Sequence, residues 1–133
     1  MRAHAGLIVA GVATFIMMGA GQSLYGPALP AFSRIFGVSL AEAGMLVSAH
    51  WVGCFLGVGL MYVKGGGITP RHALAAMALG AAGVAALAGW WATIAGAVVF
   101  GAGYGLSTAV FNPRVLRAFG TYGPSMLSML NAT

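Results

Sequence analysis

Negative charge is almost missing from this sequence. Glu42 is the single acid among 133 residues, set against six lysines and arginines, and charged residues make up 5% of the chain. An ordinary soluble domain carries about 25%, so a water-facing surface cannot be built from these residues. The chain is expected to be an all-α integral membrane protein. No Ser/His/Asp arrangement has an available carboxylate in the membrane, and the histidines and Cys54 are not clustered at metal-ligand spacings. No enzyme activity, metal or cofactor is therefore expected. A lone cysteine excludes an intrachain disulfide. The run Gly65-Gly66-Gly67 lacks the Gly-Lys-Ser/Thr that would make it a phosphate loop, and reads as a flexible turn. The pI near 10.2 suggests nucleic acid. The basic residues, however, stand singly between apolar runs rather than on one face, which excludes it.

What the chain does have is apolar length and glycine: 60% hydrophobic residues and 22 glycines. Its organising stretch covers residues 41–91. Here an apolar run enters a short basic turn holding Lys64, Arg71 and His72, and a second run leaves it and closes on Trp90 and Trp91. About 20 residues at 1.5 Å each suffice to cross a roughly 30 Å hydrocarbon layer. Basic residues stay on the cytoplasmic side and tryptophans favour the interface, so this hairpin turns in the cytoplasm.

The run from Gly6 to about Tyr25 follows Arg2 and His4. It exceeds the roughly 7–15 apolar residues of a cleaved signal, and is expected to stay as a first helix. Pro27 and Pro30 lack N–H groups and are expected to end or bend it. Ser39-Leu40-Ala41-Glu42 fits a capping box that starts the second helix at about Leu40. A fourth run, Thr93 to about Phe111, is expected to end at Asn112-Pro113, because the residue before proline disfavours helix.

The expected spans are therefore about 6–26, 40–63, 73–91 and 93–111 in a single transmembrane domain. A partial fifth helix is expected over about 124–133, so that the chain would stop inside it. Arg2, Lys64, Arg71, Arg114 and Arg117 then fall inside, and Arg34 alone outside. This places a multi-pass protein in a bacterial-type inner membrane with its N-terminus cytoplasmic. The lipid bilayer is its first partner. A weak repeat relates Gly19-Ala20-Gly21 and the residues after it to Gly101-Ala102-Gly103, which pairs helix one with helix four.

Several stretches together resemble the amino-terminal part of a major facilitator superfamily transporter, over essentially the whole chain. They are the glycine-rich first helix ending in Tyr25-Gly26-Pro27-Ala28-Leu29-Pro30, the second helix with Gly44, Gly53, Gly57 and Gly59, and the basic loop after it. The stretch from Gly101 to Gly120 and the closing residues 125–133 add to the match. The resemblance implies the first-half arrangement of that fold and a secondary active transporter of small molecules. Helices one and four would line its path, and further helices would come from a longer chain or from another membrane protein. The alternative is a non-transporting accessory subunit, packed by its glycine faces against a larger complex. Two departures stand out. In the loop that aligns with Tyr62–Arg71, Gly66 replaces the family's acid and Pro70 one basic residue, and the arginine of helix four is missing near Val98–Phe100.

On the two lining helices the resemblance makes Gln22, Tyr25, Tyr104, Ser107 and Asn112 the candidates for substrate contact, with Thr14, Ser23 and Thr108 as further polar positions. An ionisable residue inside a span is a functional candidate, which adds His50, although a hydrogen bond to a neighbouring helix would also explain it. Lys64, Arg71, Arg114 and Arg117 read as topology anchors, with gating contacts second. Gly53/Gly57 and Gly101/Gly105 form Gly-x-x-x-Gly pairs, read as helix-packing surfaces.

Overall fold

Caps and left-handed glycines divide residues 5–132, which this computed structural model describes, into six α-helices and two short 3-10 turns, with no strand among them. The lead residues Arg2 and His4, and Thr133 at the end of the expected fifth helix, lie outside the described residues.

Helix α1, Ala5–Phe36, runs for 32 residues and contains both Pro27 and Pro30. The expected end at these prolines is thus corrected. Each proline removes one hydrogen bond, to the carbonyls of Ser23 and Gly26, and all four residues are exposed. The stop comes at Gly37, whose φ of +65 suits glycine in the left-handed region. There the Ser33 hydroxyl donates to the Val38 carbonyl at 2.6 Å.

Ser39 then caps α2, Leu40–Ala43, through a full capping box: the Glu42 N–H donates to Ser39 Oγ at 3.1 Å, and the Ser39 N–H to Glu42 Oε2 at 2.7 Å. Gly44 keeps helical angles, so the rod continues into α3, Met45–Lys64. After the 3-10 turn Gly65–Gly67, Thr69 caps α4, Pro70–Ala85, and His72 Nδ1 accepts from the Thr69 N–H at 3.1 Å.

The chain departs from expectation again at the end of α4. This helix stops at Ala85 rather than near Trp91, because Leu87 (φ 50) and Gly89 (φ 137) turn the backbone. Trp90 and Trp91 therefore open α5, Trp90–Phe119, instead of closing the helix before it. Helix α5 also runs straight through Pro113, so Asn112, Arg114 and Arg117 are helical and do not follow a break. The missing Pro113 bond frees only the Ala109 carbonyl. Beside it, Arg114 Nη1 donates to the Val110 carbonyl at 3.0 Å, and Arg117 Nε to the Pro113 carbonyl at 3.2 Å. Gly120 (φ 50) ends the helix, and after the 3-10 turn Gly120–Tyr122 the chain folds back as α6, Gly123–Asn131.

Three stretches are long and apolar enough to cross a membrane: Ala5–Phe36, Leu40–Lys64 and Trp90–Asn131, the last of which includes the reversal at Gly120. Helix α4, with 16 residues, reaches only about 24 Å.

Helix α5 is the hub. Its apolar window is 56% buried, against 22% for those of α1 and the Leu40–Lys64 rod. Lipid tails are as apolar as leucine, so helix association relies on close van der Waals packing. Glycine supplies that packing here. The α3–α5 pair is parallel: Gly101 lies on the His50 backbone and Gly105 on that of Cys54, while Gly53 and Gly57 lie on Val98 and Ala102. The α4–α5 pair is antiparallel, with Gly80 against Phe100, Gly96 against Gly83 and Val84, and Gly103 against Met77. Helix α1 crosses α5 antiparallel, from Phe15 beside Phe111 and Val115 to Gly21 beside Phe100. Leu130 of α6 closes the first of those clusters.

Candidate functional site

The two helix extensions decide where the polar side chains fall. Because α1 continues to Phe36 and α5 spans Trp90–Phe119, Gln22 and Tyr104 both lie near the middle of their helices. They meet there: Tyr104 Oη donates to Gln22 Oε1 at 3.3 Å. Gln22 is exposed and Tyr104 half-buried, so the pair forms part of an open face.

Behind the pair sits His50, near the middle of the Leu40–Lys64 rod and 1% exposed. Its ring centroid lies 5.3 Å from that of Tyr104, 5.4 Å from those of Tyr25 and Phe100, and 5.5 Å from that of Trp51. Trp51 is in turn 6.1 Å from Tyr104. Neither nitrogen of the imidazole has a hydrogen-bond partner. One turn from each of three helices thus brings Gln22, Tyr25, His50 and Tyr104 into one cluster.

The other candidates are placed elsewhere. Ser107 is turned away from this cluster, and its hydroxyl donates to Met77 Sδ on α4 at 3.3 Å in the buried core. It points to α4 rather than toward Gln22 and Tyr104. Asn112 lies two turns below Tyr104, with Oδ1 buried and unpartnered. The hydroxyls of Thr14, Ser23 and Thr108 are taken up by carbonyls of their own helices. Lys64 and Arg71 are exposed at the ends of α3 and α4, and Arg114 and Arg117 bond the last turns of α5.

Chemically the cluster is a neutral one: an amide, two phenols and an imidazole against an indole and a phenyl ring. It offers hydrogen bonds and ring surfaces but no formal charge. Among the described residues no group of three or more His, Cys, Asp or Glu side chains could hold a metal ion. Beside the cluster, α1 stands partly away from α4 and α5. This leaves an apolar cleft of about 430 Å³ that Gly21, Leu24, Tyr25, Phe32, Val84 and Phe100 help to line.

No family model, curated protein or solved structure matches this chain. The functional reading therefore rests on the arrangement of its own residues.

Sequence reasoning did not single out Trp51 and Phe100, which complete the ring shell, or Gly80, Gly96 and Gly103, which seat α4. Trp51 could have been found, being adjacent to an intramembrane histidine. Phe100 has no distinguishing signal within an apolar run.

Proposed function

We propose that this chain is part of a secondary active transporter of small molecules, with a fold resembling the first half of the major facilitator arrangement. Gln22 and Tyr104 would be the centre of its path. The observation that carries this reading is their meeting at mid-length of α1 and α5, on an open face, with His50 behind them. Transporter sites lie near the bilayer midplane, between helices related by internal repeats. A polar pair left open at that depth is costly in lipid unless it faces water or a substrate. On this reading α1, the Leu40–Lys64 rod, α4 and α5 make four spans and α6 begins a fifth. The N-terminus is cytoplasmic, in a bacterial-type inner membrane. Alternating access rocks one six-helix half against another, so the working transporter includes further helices.

The accessory-subunit reading is corrected in its surface, because α3 and α5 bury the expected glycine faces, Gly53/Gly57 and Gly101/Gly105, against each other, and it draws on a different observation. Phe55, Tyr62 and Val63 of α3 are 77%, 91% and 85% exposed, an apolar face that a host protein could cover as well as lipid. Purification in mild detergent, with identification of what co-migrates, separates the two. Additional transporter helices, on the same chain or a partner, support the path. Stoichiometric retention in an unrelated membrane complex would replace it with a packing role.

A further inference from the structure

His50 has an environment that suits only one of its two charge states. The ring is 1% exposed, Nδ1 and Nε2 are both without a partner, and four aromatic rings lie within 5.3–5.5 Å. A neutral imidazole leaves two hydrogen bonds unmade in this shell. An imidazolium would be attracted to the ring faces, but as an unpaired buried charge it would lose far more than those faces return. Among the described residues no counter-charge is at hand. The titratable groups that face the ring are Tyr25 from α1 and Tyr104 from α5, and Cys54 follows one turn along α3. Gln22 reaches this shell only through its bond to Tyr104. Glu42, the one acid of the chain, is engaged by the Ser39 cap at the start of α2.

The four walls differ in how firmly they are fixed. Trp51, Phe100 and Tyr104 belong to α3 and α5, which glycines lock together at Gly53, Gly57, Gly101 and Gly105. Tyr25 belongs to α1, whose flank borders the open cleft of about 430 Å³. Helix α1 is the wall least enclosed by its neighbours.

We propose that His50 is a proton-binding site that sets whether α1 is seated on α3 and α5. With the imidazole neutral, Tyr25 covers it and α1 stays down. When a proton arrives from water, α1 lifts at Tyr25 so that water can reach the two N–H donors; loss of the proton to water seats it again. This device does not depend on the chain being a transporter.

Histidine ordinarily titrates between about pH 5 and 8; because the seated shell favours the neutral ring, the scan starts in that window and continues below it for as long as the chain stays folded. The chain has three tryptophans, so Trp90→Phe with Trp91→Phe leaves Trp51 as the sole reporter, beside His50. An imidazolium quenches a neighbouring indole more strongly than a neutral imidazole. The chain, reconstituted in vesicles of neutral lipid, is expected to lose Trp51 emission on acidification along a one-proton curve. In a Cys54→Ser background, spin labels at Leu24 of α1 and Val52 of α3, both exposed, are expected to move apart over the same pH range. His50→Gln should abolish both changes, and His50→Phe, which refills the ring shell, provides the same control if the glutamine variant does not fold. Emission or distance that stays constant across the range, or changes that persist in both variants, would overturn the proposal.

Discussion

Gly101→Ala is expected to force α3 and α5 apart, and the structure gives the size of the effect. A Cβ at position 101 would fall on the His50 carbonyl, a backbone atom that cannot rotate away. Overpacking of this kind costs about 1–3 kcal/mol. Alanine also favours a helix over glycine by about 1 kcal/mol, so the net change is smaller than the clash alone. Gly59→Ala isolates that second contribution, since nothing lies within 4 Å of its Cβ position. The helix-propensity gain is common to both variants. Gly101→Ala should therefore be less stable than Gly59→Ala by the full overpacking cost, about 1–3 kcal/mol. Gly53 meets the Val98 carbonyl across the same interface. Once one methyl group has spread the helices, a second costs less, so the Gly53→Ala, Gly101→Ala double variant should lose less than the sum of its parts. Reversible unfolding in mixed detergent micelles measures the parent chain, the three single variants and the double variant. Equal stability of Gly101→Ala and Gly59→Ala would refute the close backbone contact on which the bundle is argued to depend.

Three further outcomes follow from local geometry. Replacing Pro27 and Pro30 together by alanine should raise stability while leaving the helical circular dichroism nearly unchanged, because α1 already runs through them; an interior proline costs about 3 kcal/mol. A clear rise in helix content would mean that the prolines end the helix after all. Ser39→Ala removes a capping bond worth about 1 kcal/mol. Hydrogen exchange should quicken near Ser39–Gly44 while the amides around Gly53 stay protected. Tyr104→Phe removes one partly exposed hydrogen bond, about 0.5–1.5 kcal/mol at most. Stability should hardly move, and on the proposed transporter reading the effect should appear in uptake; full activity of this variant would remove Tyr104 from the proposed path.

The helical, membrane-compatible character of the chain was legible because it follows from composition: one acid and 60% apolar residues leave little choice. The Ser39 start of α2 was legible too, since a capping box is read from residues three apart. Helix ends governed by proline were not. Pro27, Pro30 and Pro113 all stand inside helices, since each forfeits one bond where the rest of the turn still holds. The end of α4 was hidden as well, because Leu87 takes a left-handed conformation that no turn residue announces. These misplaced ends mattered for the site. With α1 ending near Tyr25, Gln22 would lie close to the end of its helix; with α1 reaching Phe36, it lies near the middle of the helix, opposite Tyr104. Ser107 illustrates a different limit, since facing α4 or α1 depends on the rotation of α5, and that is fixed by the glycine contacts on its two sides.

The most direct test of the central claim is the water accessibility of the polar pair. In a Cys54→Ser background, single cysteines at Gln22 and Tyr104, and at Phe55 on the exposed apolar face of α3, would be treated in intact membranes with a charged thiol reagent. Such a reagent reaches only groups that meet water. A path along α1 and α5 predicts rapid modification at positions 22 and 104 and none at position 55. Silence at both path positions, with ready labelling of a cysteine at the exposed residue Arg71 as the positive control, would contradict it.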